Sequence, residues 1–252
     1  MIRVLILLLA LMLAPLPAVA GDVLIPGEDI TGLYVWPEGA AEADASYIYR
    51  YTYPQFAGDS SLALNINQIF QYDAADALSF ECPMYASSHP AELGQMQVTI
   101  SYEITHLSQD ALSVRIDKVV TVGESVSRTV KAYTFKLTGT LAGTVTSLPY
   151  LLDLVTDDSS DEWLIDRQIA KADACVRDLV WAMVKKDMKQ PDSVVYDDMT
   201  AEEFEFGFFP EEDFYLDAEG NFVFFIQEDI IAPREAGQFF YTISLEDLLD
   251  EI

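Results

Sequence analysis

Six carboxylates crowd one short stretch near the C-terminus: Glu202, Glu203, Glu205, Glu211, Glu212 and Asp213, interleaved with Phe204, Phe206, Phe208 and Phe209. Two carboxylates suffice for glycoside hydrolysis, one as acid and one as base or nucleophile, so a carbohydrate-active hydrolase could draw its pair from here. No spacing rule singles out a pair. The competing reading is an acidic face alternating with a core-facing aromatic face. A sharper reading uses both residue types together. Aromatic anchors rimmed by acid suit a basic protein, because charge steers the encounter and buried rings hold it. The candidate partner-binding residues are therefore Glu202, Glu203, Glu205, Phe208, Phe209, Glu211, Glu212 and Asp213.

Other chemistry is sparse. His89 and His106 are the only histidines, which excludes a three-histidine zinc site and a His-Glu-x-x-His helix. His89 precedes Pro90 in a loop, and His106 ends a strand on the parity of Val98, Ile100 and Tyr102, where a structural histidine is the default. No Gly-x-Ser-x-Gly elbow, phosphate-binding loop or Gly-x-Gly-x-x-Gly occurs. Asp217-Ala218-Glu219-Gly220-Asn221 departs from an EF-hand loop, which needs more ligands and a closing glutamate, and reads as a turn. No catalytic residue, cofactor or metal is assigned, and the chain is read as a non-enzyme.

Cys82, in a loop marked by Pro83, and Cys175, mid-helix, are the only cysteines. In an exported chain their even count permits one disulfide, which would contribute on the order of 4 kcal/mol if unstrained. The alternative is two small buried thiols.

The elements that must position these groups follow from periodicity. Gly21–Ala45 is rich in Gly, Pro, Ala and acid and reads as a flexible N-terminal arm. Ser46–Tyr53 alternates as a strand ending at Pro54, and Leu62, Ile66, Ile69 and Phe70 predict a helix over Asp59–Leu78 capped by Ser60. Met96–His106, Leu112–Val122 and Ser127–Thr138 alternate as three strands of an antiparallel meander, the last two joined at Gly123-Glu124. Ser147–Leu154 is a short helical or turn segment. A Ser-x-x-Glu box over Ser159–Glu162 then opens a long helix. Ile165, Ile169, Ala172, Val176, Leu179 and Met183 form its apolar stripe, Lys185, Lys186 and Lys189 its basic end, and Pro191 stops it. Phe214–Leu216 and Phe222–Ile226 form a hairpin, Phe239–Ile243 another strand, and Ser244 or Leu245 begins a terminal helix. The fold class is α+β: antiparallel sheet(s) packed against one long amphipathic helix and shorter helices. An N-terminal subdomain over 46–140 and a C-terminal domain over 141–252 are expected.

Met1–Ala20 reads as a secretory signal peptide: Arg3, an apolar run over Val4–Leu13, and Ala18-Val19-Ala20 before Gly21. The run is shorter than the roughly 20 residues a spanning helix needs, so a retained anchor is the lesser reading. Removing it takes one basic residue from 14 and none of 42 acids, leaving 13 against 42, or −29. That charge disfavours nucleic acid and anionic lipid and favours a basic partner or plain solubility. The mature chain is expected in the periplasm or outside the cell, with no stable membrane insertion after signal cleavage.

Phe214–Leu248, reading FYLDAEGNFVFFIQEDIIAPREAGQFFYTISLEDL, resembles the closing segment of the RsiV-like extracytoplasmic domain family. Tyr53-Pro54-Gln55-Phe56-Ala57-Gly58 with Asn65-Ile66-Asn67 resembles its companion N-terminal domain, and SLPYLLDL its lead into the long helix. Thr121–Val126 departs from a glycine-rich stretch common in the family. The resemblance, to a family that includes a lysozyme-sensing protein and some peptidoglycan deacetylases, implies an envelope binding module that recognises a basic, lysozyme-like cell-wall hydrolase.

Overall fold

Period-2 alternation builds the largest element of the fold. In a computed structural model, which describes residues 24–155 and 162–252, three long strands form the expected meander: β5 (Met96–Leu107), β6 (Ala111–Val122) and β7 (Ser125–Lys136). The signal-peptide segment and Ser159–Asp161 of the capping box lie outside the described residues. Two strands extend the sheet, β2 (Ile30–Trp36) and β3 (Tyr47–Tyr53), in the order β2-β3-β5-β6-β7. β2 lies inside Gly21–Ala45, so this stretch, read as a flexible arm, contributes a full strand paired from Ile30–Tyr53 to Trp36–Tyr47. A two-stranded ladder, β1 (Ile25–Pro26) with β4 (Phe56–Ala57), ties its start to the same core.

The sheet is mixed rather than wholly antiparallel, because β3 and β5 run parallel. Parallel neighbours need a crossover, and helix α1 (Ser61–Asp76) supplies it. Ser60 caps α1 by accepting from the Ala63 N–H at 3.2 Å. Asn67, buried in α1, accepts from Phe56 N–H and donates to Phe56 O, both at 2.8 Å, so its amide pairs with β4 as a backbone unit would. The helix does not end at Leu78. It passes through a π-helical turn (Ala77–Glu81) into α2 (Cys82–Ser88). Ile66 and Phe70 of α1 pack with Tyr49, Val98, Val114 and Phe135 in the first core.

The far face of this sheet is covered as well. A second, three-stranded sheet, ordered β10-β9-β8, contains β8 (Phe214–Leu216), β9 (Phe222–Ile226) and β10 (Phe239–Ile243). One of its faces meets β7 through Tyr215, Val223, Phe225 and Val130. The other packs on α3 (Leu148–Leu151), α4 (Glu162–Asp187) and α5 (Ala201–Gly207). The layers therefore run helix, sheet, sheet, helix. Central β9 is buried on both faces, which is why it reads as the unbroken apolar run FVFFI. α6 (Leu245–Glu251) closes the chain, capped by Ser244, which accepts from the Asp247 N–H at 3.0 Å.

Polar contacts stitch the layers at chosen points. Ser113 accepts from Leu216 N–H at 3.1 Å, and His106 Nδ1 donates to Asp217 O at 2.9 Å, tying the β8–β9 turn to the first sheet. That turn is an Asx structure: Asp217 Oδ1 accepts from Asn221 N–H at 2.8 Å, while Gly220 takes φ +85. Gln227 caps the open edge of β7, accepting from Val130 N–H at 3.0 Å and donating to Val130 O at 2.6 Å. At Val130 the edge is thus already paired and leaves no free backbone group there for another chain.

The stripe of α4 differs from the expected one. Ala172, Val176, Val180 and Val184 are buried, while Leu179 and Met183 flank them half-buried. Small and β-branched residues at four-residue steps let the helix sit close on the sheet, and the bulkier side chains turn aside.

Of the two readings of the cysteines, the structure has the free thiols: Cys82 and Cys175 are not bridged. Cys82 belongs to the first core, where Tyr47 donates to its sulfur at 3.8 Å, whereas Cys175 lies on α4 beside the second. Cys82 begins α2 rather than sitting in a loop. Burial pushes its thiol up to about 11, against formation of the reactive thiolate. In native protein an aromatic disulfide reagent should therefore modify Cys175 and spare Cys82 until denaturant is added. Immediate reaction of both, or of neither after denaturation, would contradict this assignment.

Candidate functional site

Thr200 initiates α5 as a capping box: it accepts from Glu203 N–H at 3.2 Å, and Glu203 Oε2 accepts from Thr200 N–H at 2.9 Å. The acidic aromatic stretch is thus helical at its start. A helix turns residues four apart to one side, and Phe204 and Phe208 accordingly point inward. Phe204 stacks on Trp181 of α4 at 5.3 Å and meets Phe208 at 5.1 Å, which in turn meets Phe224 edge-on at 6.2 Å. Gly207 admits the Ile230 side chain, which would lie 2.3 Å from a Cβ there, so the helix end is pinned closely.

What faces outward is a smaller set. Phe206 is 77% exposed and Phe209 51% exposed, with Glu202, Glu205 and Glu212 exposed around them. Beyond α5 the chain folds back on itself. Phe209 O accepts from Asp213 N–H at 2.8 Å, and Asp213 Oδ2 accepts from Phe209 N–H at 2.7 Å. Two exposed rings, Phe206 and Phe209, thus stand on a capped helix and the closed turn after it, with exposed acid close to them in the chain; this is the α5 ridge.

Several expected partner-binding residues have other work. Phe208 is fully buried and cannot anchor a partner. Glu203 is spent on the cap, and its hydrogen bonds to Thr200 hold its carboxyl below the usual range. Asp213 closes the turn. Phe206, whose ring belongs to the ridge, was hidden by the two-residue spacing of the phenylalanines. The Thr200-x-x-Glu203 spacing is the signal that reveals it.

Burial pushes the Asp213 carboxyl up to about 6, against the lowering effect of the Phe209 N–H. The folded state then holds this proton more tightly than the unfolded chain does. Its contribution is full below about pH 4 and lost as pH rises through about 6. Asp213→Asn keeps an acceptor for Phe209 and removes the charge. It should gain roughly 2 kcal/mol over wild type between pH 4 and pH 7.5, read from urea midpoints. Parallel pH profiles for the two proteins would count against this.

Glu211 has a neighbour in α4. Its carboxyl is raised by burial and then by Asp173, whose own carboxyl is raised by burial against the lowering effect of Arg177. Arg177 holds Asp173 at 2.9 Å, while Asp173 Oδ1 and Arg177 Nε are buried without partners. His89 Nε2 donates to Gly94 O at 2.6 Å, so each histidine serves a backbone carbonyl, His89 locally and His106 across the layers. Among the described residues no group of three or more His, Cys, Asp or Glu side chains could hold a metal ion. No helix there is long and apolar enough to cross a membrane.

The layered α+β architecture is similar to that of solved structures. A DUF3298-family protein from Bacteroides fragilis is similar over 88% of this chain and 91% of its own, with TM-score 0.52 and 17% identity. A DUF3298-family protein from Pseudomonas aeruginosa matches over 91% of this chain and 94% of its own, with TM-score 0.48 and 11% identity. At 17% identity the first likeness shows a shared fold and nothing finer. No protein-family model and no curated protein sequence matches the chain.

Proposed function

We propose that this protein is an exported, non-catalytic binding module of the cell envelope. Its partner is a basic protein of the lysozyme-like cell-wall hydrolase class. The observation that carries this reading is the exposure of Phe206 and Phe209 on and just after a capped helix, with exposed Glu202, Glu205 and Glu212 close to them in the chain. Exposed aromatic anchors contribute most where a rim excludes water around them, and acid around them attracts a basic surface. The net charge of the chain draws such a partner from a distance. Export rests on the signal-like Met1–Ala20, and the partner class on the resemblance to the RsiV-like family.

Replacing Glu202, Glu205 and Glu212 together by Gln tests the rim without touching the cap. Association with hen lysozyme should slow roughly ten-fold at low salt, and its salt dependence should flatten. Unchanged association kinetics would remove the rim from the interface.

One observation favours a second reading, hydrolysis by a carboxylate pair. Glu211 and Asp173 are close enough for one to raise the other. Turnover of chitin-type oligosaccharides that disappears in Glu211→Gln would favour that reading over the binding module.

A further inference from the structure

On the opposite side of the molecule, a cavity of about 360 Å³ opens between α1 and the five-stranded sheet. Its helix wall carries Asp73, Asp76 and Glu81, and its strand wall carries Lys118 and Lys131. Two lysines in one cleft are conspicuous in a chain with 14 Lys+Arg against 42 Asp+Glu, and they give the cavity a positive wall facing a negative one. Glu81 reaches the cleft because it ends the π-helical turn between α1 and α2, a distortion that recurs at functional sites.

The charges are unevenly satisfied. Glu81 is firmly paired with Lys118. Asp73 accepts from the Tyr133 hydroxyl and, more loosely, from Lys131 Nζ at 3.4 Å. Lys131 is 60% exposed and rests over the Tyr133 ring at 4.5 Å, so its ammonium can swing to a new acceptor. The Asp76 carboxylate has no hydrogen-bond or ion-pair partner among the described residues. The cleft thus has one free acceptor and one loosely held donor, on opposite walls. Tyr49 and Tyr53 phenols, kept protonated by burial, line the same space.

A simple anion entering here meets three carboxylates, and a simple cation meets two ammonium groups. A molecule bearing both signs complements both walls with charge-assisted hydrogen bonds. The volume lies at the small end of ligand cavities. We infer that this cleft binds a small zwitterion, a free amino acid or a very short peptide, with its ammonium on Asp76 and its carboxylate on Lys131. The excess of acid in the cleft favours a ligand with a second amine.

Calorimetric titration of the protein with L-lysine, L-alanyl-L-alanine, n-butylamine and butyrate tests this. L-Lysine or the dipeptide should saturate one site, the better of the two telling a free amino acid from a short peptide. Butylamine and butyrate should bind at least about ten-fold more weakly. Asp76→Asn and Lys131→Met, both at exposed side chains, should each weaken the zwitterion about ten-fold. Their unfolding midpoints and their binding to hen lysozyme through the α5 ridge should be unchanged, which separates this cleft from the ridge. No saturation by any probe at about ten millimolar would overturn the inference. So would butylamine or butyrate binding as tightly as lysine, or variants binding like wild type.

Discussion

Phe204→Ala is expected to destabilise the protein by about 3–5 kcal/mol, whereas Phe206→Ala, two residues on in the same helix, should change stability by less than about 0.5 kcal/mol. Phe204 is 1% exposed and lies at the head of the aromatic chain from Trp181 through Phe208 to Phe224. Removing it leaves a cavity between α4 and the second sheet that rigid neighbours cannot collapse to fill. The midpoint of thermal unfolding should fall by roughly 10 °C, with Phe206→Ala close to wild type. Similar losses for both variants would mean that α5 does not turn Phe204 inward and Phe206 outward. The ridge would then have no structural basis.

The converse holds for recognition. Phe206→Ala with Phe209→Ala should weaken binding to hen lysozyme by at least about 30-fold, equivalent to about 2 kcal/mol, with stability unaltered. Paired aromatic anchors at the centre of an interface carry energy out of proportion to their number. The loss should appear mainly as faster dissociation, since apolar contacts act after encounter. The Gln variants of the rim should act on association instead. Surface plasmon resonance separates the two. Faster dissociation from the rim changes, or slower association from the ring changes, would reverse the assigned roles.

The sequence was most readable where one rule governed a segment alone. Alternation found β5, β6 and β7, the Asp217–Asn221 turn found the β8–β9 hairpin, and Ser60 and Ser244 marked their helix starts. What escaped depended on partners distant in the chain. β2 lies in a Gly- and Pro-rich stretch with little periodicity of its own and is held by seven register pairs with β3. The parallel pairing of β3 with β5 follows from the crossover through α1, which no local pattern reports. The α4 stripe shifted to Val180 and Val184 because the second sheet, not the helix, decides which flank is buried. At the candidate site the interleaved phenylalanines were legible as a set, with Phe208 and Phe209 read as the anchors, but not as one buried and one exposed group. Their two-residue spacing imitates a strand, and only the Thr200–Glu203 cap sets the helical phase. Cys82 and Cys175 illustrate the limit of composition. An even count said nothing about Cys82 lying in the first core while Cys175 sits half-buried on α4.

The central claim is that the ridge on α5 recognises a basic protein. Calorimetric titration of the protein with hen lysozyme, at low and moderate salt, tests it most directly. The account predicts saturable one-to-one binding that weakens but survives at moderate salt, and that is lost in the Phe206, Phe209 double variant. Absence of binding, or weak binding erased by salt and indifferent to both rings, would contradict it.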